Sequence, residues 1–318
     1  MDRDQLQARV HDVAGAIETM ETRGAAAIAA EAADALRAQA VESDAESAAE
    51  LRAQLRAVAR LLLETRPTAV SLPNACRYVL QRTTGDAVES VRSSAVEAAA
   101  EFRARLATAQ RDLGQVGANR LRDGDTIMTH CHSTDALACV EAAVDDGKDL
   151  TAIVRETRPR KQGRITAREL TELGVDVTMV VDSAARRYMD DVDHVLVGAD
   201  AIAADGSVVN KIGTSGLAVV ARERGTPIVV AAGTLKLDPA TMTGNAVEIE
   251  MREETEILPD AEREDIGEIT VENPAFDVTP PRHVDAIVTE RGQFPPESIV
   301  TLMRELFGEG HSEPWQEL

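Results

Sequence analysis

A chain of 318 residues, 44% apolar and 28% charged, is long enough for two domains and has the make-up of a soluble globular protein. Its 55 acidic residues outnumber 34 basic ones, and a net charge of -21 excludes nucleic acid as the main partner, since phosphate-backbone binding needs a basic footprint. No stretch reaches the roughly 18 uncharged apolar residues of a membrane span, and the charged start MDRDQLQARVHDV lacks the apolar core of a signal peptide, so the expected compartment is the cytosol.

Only four bases are lysines: Lys148, Lys161, Lys211 and Lys236. An acidic, lysine-poor chain suits a salt-rich cytoplasm, where screening over about 3 Å at 1 M removes most self-repulsion. The cysteines, Cys76, Cys131 and Cys139, have no CxxC spacing and build neither a disulfide framework nor a zinc knuckle. His130 and His132 flank Cys131, but adjacent residues do not readily chelate one ion, so neither metal nor cofactor is expected.

Residues 1–115 are rich in Ala, Arg, Glu and Leu, and predict a helical domain with helices near 2–20, 24–40, 44–64, 73–82 and 86–114. Pro67 predicts a break across Glu64–Val70. Residues 116–318 change character. Strands are expected at Thr126–His130, Thr151–Glu156, Asp176–Val181, His194–Gly198, Pro227–Ala232 and Asp285–Thr289. Helices are expected after the first strand, at 163–173, briefly after the third strand, at 213–224 and at Pro296–Phe307, with a turn at Asp205-Gly206. Alternation of this kind implies an α/β fold: a helical N-terminal domain followed by a Rossmann-like domain with a mainly parallel sheet.

Ligands of such sheets bind beyond the carboxyl ends of the strands. The residues there are Cys131-His132-Ser133-Thr134, Thr157-Arg158-Pro159-Arg160, Asp182-Ser183, Ala199-Asp200 and Gly233-Thr234-Leu235-Lys236. Five polar strand ends predict one shared crevice. Cys131 can act as acid, base or nucleophile there. Asp200 follows a wholly apolar strand, which predicts a partly dry carboxylate, with Asp182 as an alternative. Lys211, expected at the start of a helix, would complement an anion at the helix N-terminus. A thiol facing a carboxylate across a sugar suits proton transfer between adjacent carbons. Neither a Walker A motif nor GxGxxG is present, so nucleotide hydrolysis and dinucleotide binding lack support.

Arg23-Gly24, Arg66-Pro67-Thr68-Ala69-Val70-Ser71-Leu72-Pro73-Asn74 and Met128-Thr129-His130-Cys131 resemble archaeal ribose-1,5-bisphosphate isomerases. So do Glu156-Thr157-Arg158-Pro159, Gln162-Gly163, Val181–Ala185, Gly198–Ile202, Asn210–Thr214 and Asn273–Pro281. The wider family includes methylthioribose-1-phosphate isomerase and the regulatory subunits of initiation factor 2B. The resemblance implies conversion of ribose 1,5-bisphosphate to ribulose 1,5-bisphosphate in nucleoside and AMP salvage. It also implies AMP as activator and a homo-oligomer, dimer or hexamer. It places Cys131 and Asp200 as the catalytic pair, one protonating during ring opening and the other moving the C2 proton, in either assignment. Arg23, Gly24, Arg66, Asn210, Lys211 and Lys236 carry over as substrate contacts. The alternatives are the methylthioribose-1-phosphate isomerase and a non-enzymatic subunit, which would have no need of both Cys131 and Asp200. The chain departs from the family at His132, where asparagine is expected. Gly233–Leu237 also departs, replacing a pattern that begins with glutamate and contains aromatics.

Overall fold

Alanine-rich sequence poor in β-branched residues favours helix. The computed structural model, which describes residues 6–22, 24–308 and 313–316, opens on helices α1 (Ala8–Glu18), α2 (Ala25–Glu42), α3 (Ala48–Thr65), α4 (Ser71–Arg82) and α5 (Val88–Ala118). The chain divides into two compact units, Met1–Ala109 with Glu309–Leu318, and Gln110–Gly308. In the first unit the alanine run of α2 buries Ala29, Ala32, Ala33 and Ala35 completely, so helices approach closely over Leu36, Leu51, Leu55 and Leu62. Ser47 caps α3 by accepting the Glu50 N–H. The helix stops at Thr65, ahead of Pro67. The C-terminal segment belongs to this unit: Glu313 pairs with Arg77 at 2.7 Å, and Trp315 lies 5.3 Å from the same guanidinium.

The second unit runs β1 (Thr126–His130), α6 (Thr134–Asp145), β2 (Thr151–Arg155), α7 (Gly163–Glu172), β3 (Asp176–Val180), α8 (Ala185–Tyr188) and β4 (His194–Val197). It continues through β5 (Ala201–Ile202), β6 (Val208–Lys211), α9 (Thr214–Arg224), β7 (Ile228–Ala231), α10 (Asp260–Ile266), β8 (Phe276–Thr279), β9 (Ala286–Thr289), β10 (Gly292–Phe294) and α11 (Ile299–Phe307). Seven strands form one sheet in the order β10-β9-β7-β4-β1-β2-β3, parallel except for the β9–β10 hairpin. Successive strand residues alternate between two cores, as a period of two requires. Met128, Val195, Val197, Ile228 and Val230 face one. Ile127, Leu196, Val229 and Ala231 face the other. No helix among the described residues is long and apolar enough to cross a membrane.

A second, three-stranded sheet, β5-β6-β8, is absent from the sequence expectations. Its strands are two to four residues long, and β6 pairs with the remote β8, a partnership that local pattern does not show. The expected turn at Asp205-Gly206 joins β5 to β6 as an antiparallel pair, with Asp205 accepting the Ser207 N–H. Pairing of β6 with β8 brings Asn210 opposite Asp277 and Lys211 opposite Phe276.

The start of α7 lies hard against β2: a β-carbon on Gly163 would come within 1.8 Å of the Arg155 carbonyl oxygen. Gly163→Ala is therefore expected to destabilise the protein by about 1–3 kcal/mol through overpacking. A urea midpoint equal to the parent's would contradict this close packing.

Candidate functional site

Strand order reverses between β1 and β4: β2 and β3 continue to one side, β7 and β9 to the other. The crevice at such a reversal is where open parallel sheets bind ligands. Cys131 is the first residue after β1, and Asp200 follows β4 across Gly198-Ala199. The two strand ends approach closely because Gly198 has no side chain. A β-carbon there would lie 2.2 Å from Ser133 Oγ, the atom that caps α6 by accepting the Ala136 N–H.

Cys131 is held on every side. Its backbone adopts φ 69°, a left-handed conformation that costs a non-glycine residue energy, and neighbouring Thr157 at the end of β2 does the same at φ 67°. The two positions support each other. The Cys131 N–H donates to Thr157 Oγ1 at 2.8 Å, and the Thr166 hydroxyl donates to the Cys131 carbonyl at 2.8 Å. The thiol itself points to Gln162 Oε1 at 3.6 Å. Beneath it His130, 1% exposed, donates from Nε2 to the Ile212 carbonyl at 2.8 Å.

The charges around the thiol oppose one another. Burial pushes the Cys131 pKa up to about 11, helped by the charge of Asp200, while the His132 N–H, Lys211 and Arg252 pull it down. At neutral pH the sulfur keeps its proton. Burial lowers the Lys211 pKa, and Cys131 and Asp200 act on the same ammonium in the opposite sense. Lys211 also lies 4.5 Å from the centre of the Phe276 ring. Lys236 meets Asp135 at 2.9 Å; burial disfavours its charge, but Asp135, with Asp200 adding, raises its pKa on balance. The second unit thus gathers Cys131, Asp200, Lys211 and Lys236 into one electrostatic neighbourhood.

Four expectations change in detail. Asp200 is exposed, not partly dry, because the chain leaves the sheet before reaching it, its N–H donating to the Val209 carbonyl at 2.8 Å. Asp182 is committed to structure: its carboxylate accepts the N–H groups of Thr157 and Arg158 at 2.8 and 2.7 Å, shaping the loop after β2. Lys211 ends strand β6 and does not start a helix. The N-terminus of α9, expected to hold an anion, already has one: Asp277 accepts from Gly213 N–H at 2.8 Å and Ser215 N–H at 3.0 Å.

Asn210 is buried with its amide donating to the Thr214 hydroxyl at 3.0 Å. Gly24 stands at the N-cap of α2 with φ 85°, and Arg66 at the C-cap of α3, both in the first unit. Arg23 lies outside the described residues. The supporting residues Thr157, Gln162 and Asp277 stand inside the quoted motifs, but a motif does not tell a support from a contact. Thr166, Asp135 and Glu290 carry no sequence signal, since their partners are remote in the chain.

Residues 21–296 match the Initiation factor 2 subunit family. The chain is 71% identical over 99% of its length, and 97% of the relative's, to a ribose 1,5-bisphosphate isomerase of Haloferax volcanii, in keeping with its salt-adapted composition. It is 46% identical over 97% of its length, and 98% of the relative's, to a ribose 1,5-bisphosphate isomerase of Pyrococcus furiosus. Among solved structures, the translation initiation factor eIF-2B of Pyrococcus horikoshii OT3 superposes with a TM-score of 0.76 at 28% identity, covering 93% of this chain and 100% of that one.

The packing of His130 sets a pH limit. Burial, with Arg155 adding, lowers its pKa from 6.5 to about 4. Unfolded chain therefore binds a proton that the folded site refuses, and stability is lost as pH falls from 6.5 toward 4. Denaturant midpoints over that range are expected to fall more steeply for the parent than for His130→Gln. Parallel curves would show that His130 does not carry the effect.

Proposed function

The chain belongs to the Initiation factor 2 subunit family, and from that premise we propose that it is an isomerase converting ribose 1,5-bisphosphate to ribulose 1,5-bisphosphate. The observation that carries this is near-whole-chain similarity to the Haloferax volcanii enzyme, joined to a buried thiol and a carboxylate flanking the β1–β4 reversal.

The chemistry follows from the two groups. The anomeric oxygen carries a phosphate, so the ring must open before the carbonyl can move. Cys131, protonated at neutral pH, donates its proton to the ring oxygen as the C1–O bond breaks. Asp200 takes the C2 proton in the same step, and the electron pair forms the C1–C2 double bond of an open-chain enol phosphate. Asp200 then returns the proton to C1 while the thiolate takes the proton of the C2 hydroxyl, leaving a ketone at C2 and both groups as they began. The His132 N–H, Lys211 and Arg252 favour the transient thiolate. Lys211, Lys236 and Asn210 serve in this reading as contacts for the phosphorylated sugar, and the family resemblance adds Arg23, Gly24 and Arg66. The family resemblance further supports a cytosolic homo-oligomer activated by AMP, acting in nucleoside salvage.

Turnover of ribose 1,5-bisphosphate in high salt tests the proposal. Cys131→Ser and Asp200→Asn are each expected to lose about three orders of magnitude in kcat. Full activity in either variant would remove that residue from the mechanism, and turnover of methylthioribose 1-phosphate instead would reassign the substrate.

A further inference from the structure

His130 ends β1 and Thr157 stands just past β2, and each is only 1% exposed. Nε2 of His130 lies 2.8 Å from the Ile212 carbonyl oxygen, which can only accept, so Nε2 carries the ring proton. A neutral imidazole with its proton there offers Nδ1 as an acceptor. Burial keeps the ring neutral: Arg155 and Lys211 also oppose a second proton, and Asp182 favours it without prevailing. Asp182 Oδ1, 3.9 Å from Nδ1, is beyond hydrogen-bond reach and already accepts the Thr157 N–H at 2.8 Å. The hydrogen-bonding neighbour of Nδ1 among the described residues is Thr157 Oγ1, at 3.2 Å. The Thr157 hydroxyl also has the Arg155 carbonyl within reach at 3.1 Å, but a proton given there would leave a buried ring nitrogen without a donor. With that proton on Nδ1, Oγ1 keeps its lone pairs for the Cys131 N–H at 2.8 Å.

We propose that Thr157 and His130 are positioning residues for Cys131: the Nε2–H tautomer of His130 sets the Thr157 hydroxyl, and that hydroxyl pins the Cys131 N–H and so aims the thiol. The inference rests on the reading of Cys131 as proton donor to the sugar ring. Once the N–H is pinned, φ of Cys131 decides where the Cβ–Sγ bond points. At φ 69° the thiol meets Gln162 Oε1 at 3.6 Å, and relaxation to an ordinary φ would swing it away. The same ring fastens the end of β6, because Ile212 directly follows Lys211. Gly213 lets it approach: a β-carbon there would come within 3.2 Å of Nε2. His130 thus ties the thiol's loop to the strand end that carries Asn210 and Lys211.

Two-bond ¹H–¹⁵N spectra of the full chain at neutral pH read the tautomer directly. The His130 signals, identified among those of six histidines by their loss in His130→Gln, are expected to show a pyrrole-like Nε2 and a pyridine-like, hydrogen-bonded Nδ1. In Thr157→Val, which keeps the side-chain shape and removes the hydroxyl, the Nδ1 signal is expected to move downfield, as for a ring nitrogen that has lost its donor. Thr157→Ser keeps it near the parent position. In turnover of ribose 1,5-bisphosphate, Thr157→Val is expected to lose about 100-fold in kcat with KM little changed, and Thr157→Ser to recover most of it. An Nδ1–H tautomer in the parent overturns the proposal, and that spectrum is informative even if Thr157→Val does not fold. So does a folded Thr157→Val with parental kcat. The spectra need no substrate, so a parent protein that does not turn over ribose 1,5-bisphosphate sinks the isomerase reading and leaves the hydrogen-bond assignment to stand or fall by itself.

Discussion

The contact on which the site depends is the approach of the β4 end to the β1 loop, made through Gly198 and Ser133. Any β-carbon at 198 would occupy the space of the Ser133 hydroxyl. That hydroxyl caps α6, so the same atom starts the helix and admits the neighbouring strand end. Strand order places β1 beside β4, and the missing side chain at 198 lets the end of β4 lie against Ser133 in the loop after β1.

Around that contact the protein uses backbone strain to aim a side chain. Cys131 and Thr157 both hold left-handed backbone conformations, and each strained turn is secured by the other's hydrogen-bonding groups. Left to itself such a turn would relax; a threonine there is costly because its branched β-carbon crowds the backbone. Asp182 secures the β2 loop from below, and Thr166 and Gln162, at the head of α7, secure the cysteine from the side. Rigid support of this kind suits a thiol whose burial keeps it protonated.

A chain in which arginine supplies nearly all the positive charge makes its four lysines conspicuous. Of its four lysines, Lys236 pairs with Asp135 and Lys211 lies over the Phe276 ring, and the charge of Asp200 acts on both. High salt screens the long-range repulsion and leaves the short contacts within the crevice much less affected.

Local pattern in the sequence was enough for the large elements. The alanine-rich helices, the six parallel strands and the break before Pro67 are legible because each shows in the local sequence pattern. The residues after the strands were legible too, since a parallel sheet puts every carboxyl end on one edge, and family motifs singled out Cys131 and Asp200 among them. The three-stranded sheet was not legible, because its strands depend on partners remote in the chain, as in the pairing of Val208 with Thr279. Nor were the roles of the carboxylates. Asp135, Asp182, Asp200 and Asp277 are one residue type, yet one pairs with a lysine, one shapes a loop, one is exposed and one caps α9. Composition and period determined the architecture, because backbone preference and hydrophobic alternation act locally. Tertiary structure alone decided what each acid is bonded to, because that depends on distant groups the fold brings within a few ångströms.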